Sequence, residues 1–142
     1  MTAVMGRAKA NGPGHALIVD DEPAIRSVVR RWFERQGWRV DEAADGAGAL
    51  PLLGGSEDGR PAYDLIVADL RMPHVGGAEL HAWLSAHRPE LVDHLVIATG
   101  DVYEADAAEF LDRSKCRVLQ KPFSLSALAE LVAAIKLPGH PA

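Results

Sequence analysis

Ala16-Leu17-Ile18-Val19-Asp20-Asp21-Glu22 sets four apolar residues directly against three acids. So short and apolar a run reads as a strand covered on both faces, and the acids mark where the chain leaves the sheet. Val40 with its neighbours, Leu65 to Ala68, Leu95 to Ala98, and Val118 to Leu119 are four further strand candidates. Helical patterns fall between them.

The first helix is clear: Ile25, Val28, Val29, Trp32 and Phe33 follow the i, i+3, i+4, i+7, i+8 rule, and Gly37 sits where a left-handed cap belongs. Gly46, Gly48 and Pro51 fall inside the second, where an interior proline costs about 3 kcal/mol, so that helix should be short or kinked. Gly54 to Pro61 reads as a polar loop. Leu80, Trp83, Leu84 and His87 define a third helix, entered through Gly76-Gly77 and closed before Pro89. A weaker fourth precedes the last strand. Leu125, Leu128, Leu131, Val132 and Ile135 form the fifth, capped by Ser124 and stopped by Pro138.

Strand-helix alternation repeated five times implies right-handed crossovers and an α/β fold: a flavodoxin-like, doubly wound, five-stranded parallel sheet of order 2-1-3-4-5 with helices on both faces. Residues 1–14 lack apolar periodicity and end in Asn11-Gly12-Pro13-Gly14, so they read as an arm or linker. The domain spans 15–137, and 138–142 form a tail.

The 142 residues suit one domain, and the 48% apolar and 25% charged fractions are those of a globular protein. A net charge of −5 offers no basic footprint for direct nucleic-acid binding. No apolar run approaches the roughly 18 residues of a membrane span. The lone Cys116 cannot close an intrachain disulfide, and no charged-then-apolar leader opens the sequence, which suits a reducing cytoplasm.

Parallel doubly wound sheets bind ligands at the carboxyl ends of their strands. There the fold gathers Asp20, Asp21 and Glu22 from strand one, Asp69 from strand three, Thr99 from strand four and Lys121 from strand five. Carboxylates that close repel one another unless a cation joins them. Hard oxygen donors with no neighbouring histidine or cysteine favour Mg²⁺, which completes its shell with water and phosphate oxygens. A phosphoryl group would supply those oxygens, with Lys121 pairing to one and Thr99 donating to another. Asp69, facing the open position, is the natural nucleophile for an acyl phosphate.

Val19-Asp20-Asp21-Glu22, Asp69-Leu70-Arg71-Met72-Pro73 with Gly77 eight residues after the aspartate, Ala98-Thr99-Gly100 and Lys121-Pro122-Phe123 together resemble the receiver domains of two-component response regulators. The intervals of thirty residues from Asp69 to Thr99 and twenty-two from Thr99 to Lys121 also match, and the resemblance covers about 14–137. It implies that Asp20, Asp21, Asp69 and the main-chain carbonyl of Arg71 hold Mg²⁺. It implies that a histidine kinase or phosphotransfer protein phosphorylates Asp69, and that Thr99 and Lys121 read the phosphoryl group. It further implies that the face of the fourth helix, fifth strand and fifth helix changes and meets a protein partner; pairing of two copies stays open. Such a chain catalyses only its own phosphorylation and dephosphorylation.

One position departs from the family. Three residues before the lysine most receivers carry Tyr or Phe, whose ring turns inward; here it is Val118. The run Leu119-Gln120-Lys121-Pro122-Phe123 resembles receivers attached to hybrid histidine kinases. Arg71 and Asp101 each stand two residues beyond a site residue and, if their loops adjoin, would pair over the site and slow hydrolysis.

Taken singly, these residues have plainer readings. Asp20 and Asp21 could cap the first helix, Asp69 and Thr99 could form turns, and Lys121 could be a solvated charge. His74, His81, His87 and His94 show no ligand spacing, and no zinc site is proposed. Trp32 and Trp83 read as core, and Trp38 is ambiguous. Two other function classes compete with a switch. A non-switching interaction module is supported by Val118. A flavin or nucleotide binder would need a phosphate-cradling loop after strand one, where acids would instead repel the ligand.

Overall fold

The computed structural model describes residues 14–54, 63–72, 74–100 and 103–135. The arm through residue 13, the loop at 55–61, Pro73, Asp101 and the tail with Pro138 lie outside the described residues.

Strands β1 (His15–Val19), β2 (Arg39–Ala43), β3 (Leu65–Asp69), β4 (Leu95–Thr99) and β5 (Arg117–Gln120) form one sheet in the order β2-β1-β3-β4-β5. Every pairing is parallel. Gly14, placed by the sequence at the end of the arm, is tied to the sheet, because its carbonyl accepts the Arg39 N–H at 2.9 Å.

Helices α1 (Pro23–Arg35), α2 (Gly46–Leu53), α3 (Gly77–His87), α4 (Ala105–Ser114) and α5 (Leu125–Ala134) cover the two faces. The period-two alternation of a strand divides the core into two layers. Leu17, Val19, Ile66, Ala68, Leu95 and Ile97 pack with Leu53 of α2, Leu80 and Leu84 of α3 and Phe110 of α4. Their neighbours Ala16, Ile18, Leu65, Val67, Val96 and Ala98 pack with Val29 and Phe33 of α1 and Leu128 of α5.

Local chemistry sets the helix limits. α1 opens on Pro23, whose fixed φ and missing N–H suit a first helical position. It closes as a Schellman motif: Gly37, at φ 88°, donates to Glu34, and Trp38 donates to the carbonyl of Phe33. Their rings meet edge-on at 4.9 Å, which resolves Trp38 as a buried core residue. Trp32 and Trp83 are only half-buried, and Val28, expected on the apolar stripe, is 51% exposed.

α2 is short, at eight residues, with Pro51 inside it; the Asp45 side chain caps it by accepting from Gly48 N–H. α3 is capped by Gly76, whose N–H is taken by Glu79 at 3.0 Å, and ends before Pro89 as expected. Beyond it Pro89–His94 forms a 3₁₀ helix where the sequence suggested only a connection, anchored by the buried Leu91. Ser124 caps α5 by accepting from Ala127 N–H at 3.0 Å. No helix among the described residues is long and apolar enough to cross a membrane.

Candidate functional site

Because all strands run the same way, their last residues share one rim. β1 pairs in register with both β2 and β3, and beyond its end Asp20 N–H still donates to Ala43 O. Asp69 lies opposite Ala98, and Thr99 opposite Gln120. The residue after Gln120 therefore arrives beside the ends of β3 and β4: Lys121 N–H donates to Thr99 O at 2.9 Å.

The Lys121 ammonium joins two carboxylates, donating to Asp20 Oδ2 at 2.9 Å and Asp69 Oδ2 at 2.8 Å. Glu22 Oε1 is 3.8 Å from the same nitrogen. Burial is the largest single influence on the lysine and disfavours its charge, yet the hydrogen bonds to Asp69 and Asp20 with their negative charges outweigh it. Its pKa is therefore raised. The Lys121–Pro122 peptide bond is cis.

Asp20 is buried and held at each end of its side chain: Oδ1 accepts from Glu22 N–H at 2.9 Å, while Oδ2 takes Lys121. Asp21 is exposed and Asp69 half-buried, and one oxygen from each of Asp20, Asp21 and Asp69 lies within 4.8 Å of the others. These are hard donors at a mutual distance one octahedral cation could bridge, so the donor set fits Mg²⁺. No other cluster of this kind occurs among the described residues. Thr99 is buried at the end of β4.

The loop after Asp69 folds tightly back on the strand. Gly77 N–H donates to Leu70 O at 3.0 Å, and a Cβ on Gly77 would stand 2.8 Å from Ile97 Cδ1 and 3.0 Å from Asp69 O. Asp69 Oδ1 accepts from Arg71 N–H at 3.3 Å. The Arg71 guanidinium reaches Glu104 at the start of α4. Its expected partner, Asp101, lies outside the described residues.

Histidines fall elsewhere, as their spacing implied. His81 meets the Phe110 ring, His87 stacks on Trp83, and His94 is bonded to Tyr63 O. Sequence reasoning missed Arg26 and Glu42. Arg26 donates through Nη1 to Asp20 O at 2.6 Å and through Nε to Glu42 Oε1 at 3.0 Å. Neither residue belongs to a motif; the available signal was an arginine one turn into the helix that follows the acids.

A family model for the response regulator receiver domain matches residues 16–133. The chain belongs to that family. The receiver is 32% identical over 122 residues to the sensor kinase CckA of Brucella abortus, covering 86% of this chain and 12% of that protein. It thus spans a small part of that relative. A crystal structure of the receiver domain from the hybrid histidine kinase CckA is 32% identical, with a TM-score of 0.64 over 84% of this chain and 96% of that one. The receiver domain of sensor histidine kinase PA1611 from Pseudomonas aeruginosa PAO1 shares the fold at 24% identity, with a TM-score of 0.71 over 84% of this chain and 93% of that one. That crystal structure has a magnesium ion coordinated in its active-site cleft.

Proposed function

We propose that this receiver is a phosphoacceptor. An Asp69 oxygen attacks the phosphorus of a phosphohistidine on a histidine kinase or phosphotransfer protein. The P–O bond forms as the P–N bond breaks, and the departing imidazole takes a proton from water. Hydrolysis reverses the modification: water adds to phosphorus, and the Asp69 carboxylate and inorganic phosphate separate. The chain acts catalytically on itself alone.

The observation that carries this reading is the convergence of Asp20, Asp21 and Asp69 within 4.8 Å, with Lys121 Nζ 2.8 Å from Asp69 Oδ2. Asp20, Asp21, Asp69 and the Arg71 carbonyl would hold Mg²⁺, which when bound offsets the gathered negative charge as a phosphoryl group approaches. Lys121 would pair with one phosphoryl oxygen and Thr99 would donate to another. The magnesium in the PA1611 receiver supports the choice of metal. Downstream, a protein partner would meet the face of α4, β5 and α5, in the cytoplasm and without direct contact to nucleic acid.

Intact mass after incubation with acetyl phosphate and Mg²⁺ tests the proposal. One phosphoryl adduct is expected, absent from Asp69→Asn; a wild-type protein that takes none overturns it. A second reading, an interaction module that does not switch, is favoured by Val118, a half-buried aliphatic residue on β5 where an aromatic ring would move. It predicts a partner affinity that acetyl phosphate leaves unchanged.

A further inference from the structure

Asp20 and Asp21 are adjacent, yet they are held very differently. In Asp20 the N–H meets Ala43, both carboxylate oxygens have donors, and the carbonyl accepts from Arg26. The side chain of Asp21 is exposed and makes no hydrogen bond or ion pair among the described residues. With no side-chain partner there, the backbone is what places its Cα–Cβ bond. That backbone begins with the Asp20–Asp21 peptide, whose plane is fixed by what holds its oxygen.

Arg26 holds that oxygen. Its side chain, 18% exposed, reaches back from α1, with Nη1 on Asp20 O and Nε on Glu42 Oε1 of β2. Glu42 is in turn gripped from the other side by Arg30, Nη1 to Oε2 at 2.6 Å. Helix α1, the edge strand β2 and the turn carrying two candidate metal ligands are thus locked together through one guanidinium. A planar, two-directional donor suits this task; an ammonium would not span both partners in the same way.

We infer that Arg26 is a positioning residue for the metal site, fixing the Asp20–Asp21 peptide so that the two carboxylates are aimed together at the cation. This rests on the Mg²⁺ reading proposed above. Charge and positioning predict opposite signs for its loss. As a nearby positive charge Arg26 repels a cation, so its removal would tighten Mg²⁺ binding; as a brace, its removal loosens the ligands and weakens binding.

Titration calorimetry of Mg²⁺ into the full chain, alongside thermal unfolding in EDTA, separates the outcomes. Arg26→Met is expected to weaken Mg²⁺ binding by roughly tenfold, the lower end of what is lost when a group orienting a metal ligand is removed. Arg30→Gln, which loosens the part-buried pair with Glu42 but leaves the Arg26–Asp20 bond, should stay within about twofold of wild type, since the lost ion pair does not touch the peptide that carries the ligands. An Arg26→Met protein that binds Mg²⁺ as tightly as wild type, or more tightly, overturns the inference, even if its EDTA melting temperature has fallen. Should Arg26→Met not fold, Arg26→Gln, too short to span both partners, is read by the same criteria. A wild-type chain that binds no Mg²⁺ sinks the metal reading itself and is thereby told apart from failure of the brace.

Discussion

Arg71 and Glu104 are joined through an oxygen with two duties: Glu104 Oε1 accepts from the Arg71 guanidinium and, at 3.0 Å, from Ala107 N–H in the first turn of α4. The loop that follows Asp69 is thus tied to the cap of a helix on the proposed output face. Glu104→Ala loses both bonds and should lower stability by about 1 kcal/mol, the usual cost of a lost N-cap, while Arg71→Ala should cost about 0.5 kcal/mol or less because the pair is exposed. Urea unfolding of the two variants checks the order. Arg71→Ala should also shorten the lifetime of the acyl phosphate, and an unchanged dephosphorylation rate removes Arg71 from that role.

Lys121 is the sole ammonium described within the acidic cluster, bonded to Asp20 and Asp69. Lys121→Met leaves three clustered carboxylates without it and should destabilise the protein in EDTA by roughly 1–3 kcal/mol. Added Mg²⁺ should then raise the melting temperature of the variant more than that of wild type. Equal rises in both proteins would show that the lysine and the metal do not act on the same charges.

Gly77 is needed for space rather than for an unusual φ. Gly77→Ala sets a methyl 2.8 Å from Ile97 Cδ1 and 3.0 Å from Asp69 O, which should cost about 1–3 kcal/mol as overpacking does. Gly54→Ala is the control, since its nearest contact is an ordinary 3.6 Å. Thermal unfolding of both is sufficient, and matched melting temperatures would refute the steric account.

Glu42 has its pKa lowered, chiefly by the Arg30 hydrogen bond and further by Arg26, against the cost of burial. A lowered carboxylate pKa contributes stability above the unfolded value and loses it as pH falls through the folded one. The melting-temperature advantage of wild type over Glu42→Gln should therefore be steady near neutrality and shrink below pH 4.5, the unperturbed value. A constant difference down to pH 3 would exclude the linkage.

Tyr63 is buried and donates to Asp41 Oδ2 at 2.8 Å, beside His15, whose Nε2 is 3.0 Å from the same oxygen. Burial first, then the bond to Asp41, holds its ionisation above the ordinary 10.0. A raised pKa contributes stability below the unfolded value and loses it as pH rises. In Tyr103→Phe, which leaves Tyr63 as the only tyrosine of the two, phenolate absorbance should appear only together with unfolding. A separate step near pH 10 in folded protein would contradict this.

Much of the fold was legible because apolar strands and amphipathic helices use different periods. The strand ends at Asp20, Asp69 and Thr99 could be read because polar residues interrupt apolar runs there. The exposed Val28 shows the limit: periodicity assigns a helix face without saying how far the neighbouring layer extends. Pro89–His94 was hidden because a proline that ends one helix can equally begin another. Arg26 and Glu42 were hidden for a different reason. Charged side chains on a helix and an edge strand resemble solvated ones until the third dimension shows the arginine bridging the glutamate and a buried residue's carbonyl.

The Lys121–Asp20 bond closes across 101 positions of the chain. Its partners follow β1 and β5, which the sheet holds two strands apart, with β3 and β4 between them. The acidic cluster and its counter-charge are therefore a product of the whole sheet rather than of any local segment. A chain clipped before β5 would carry the acids without their counter-charge.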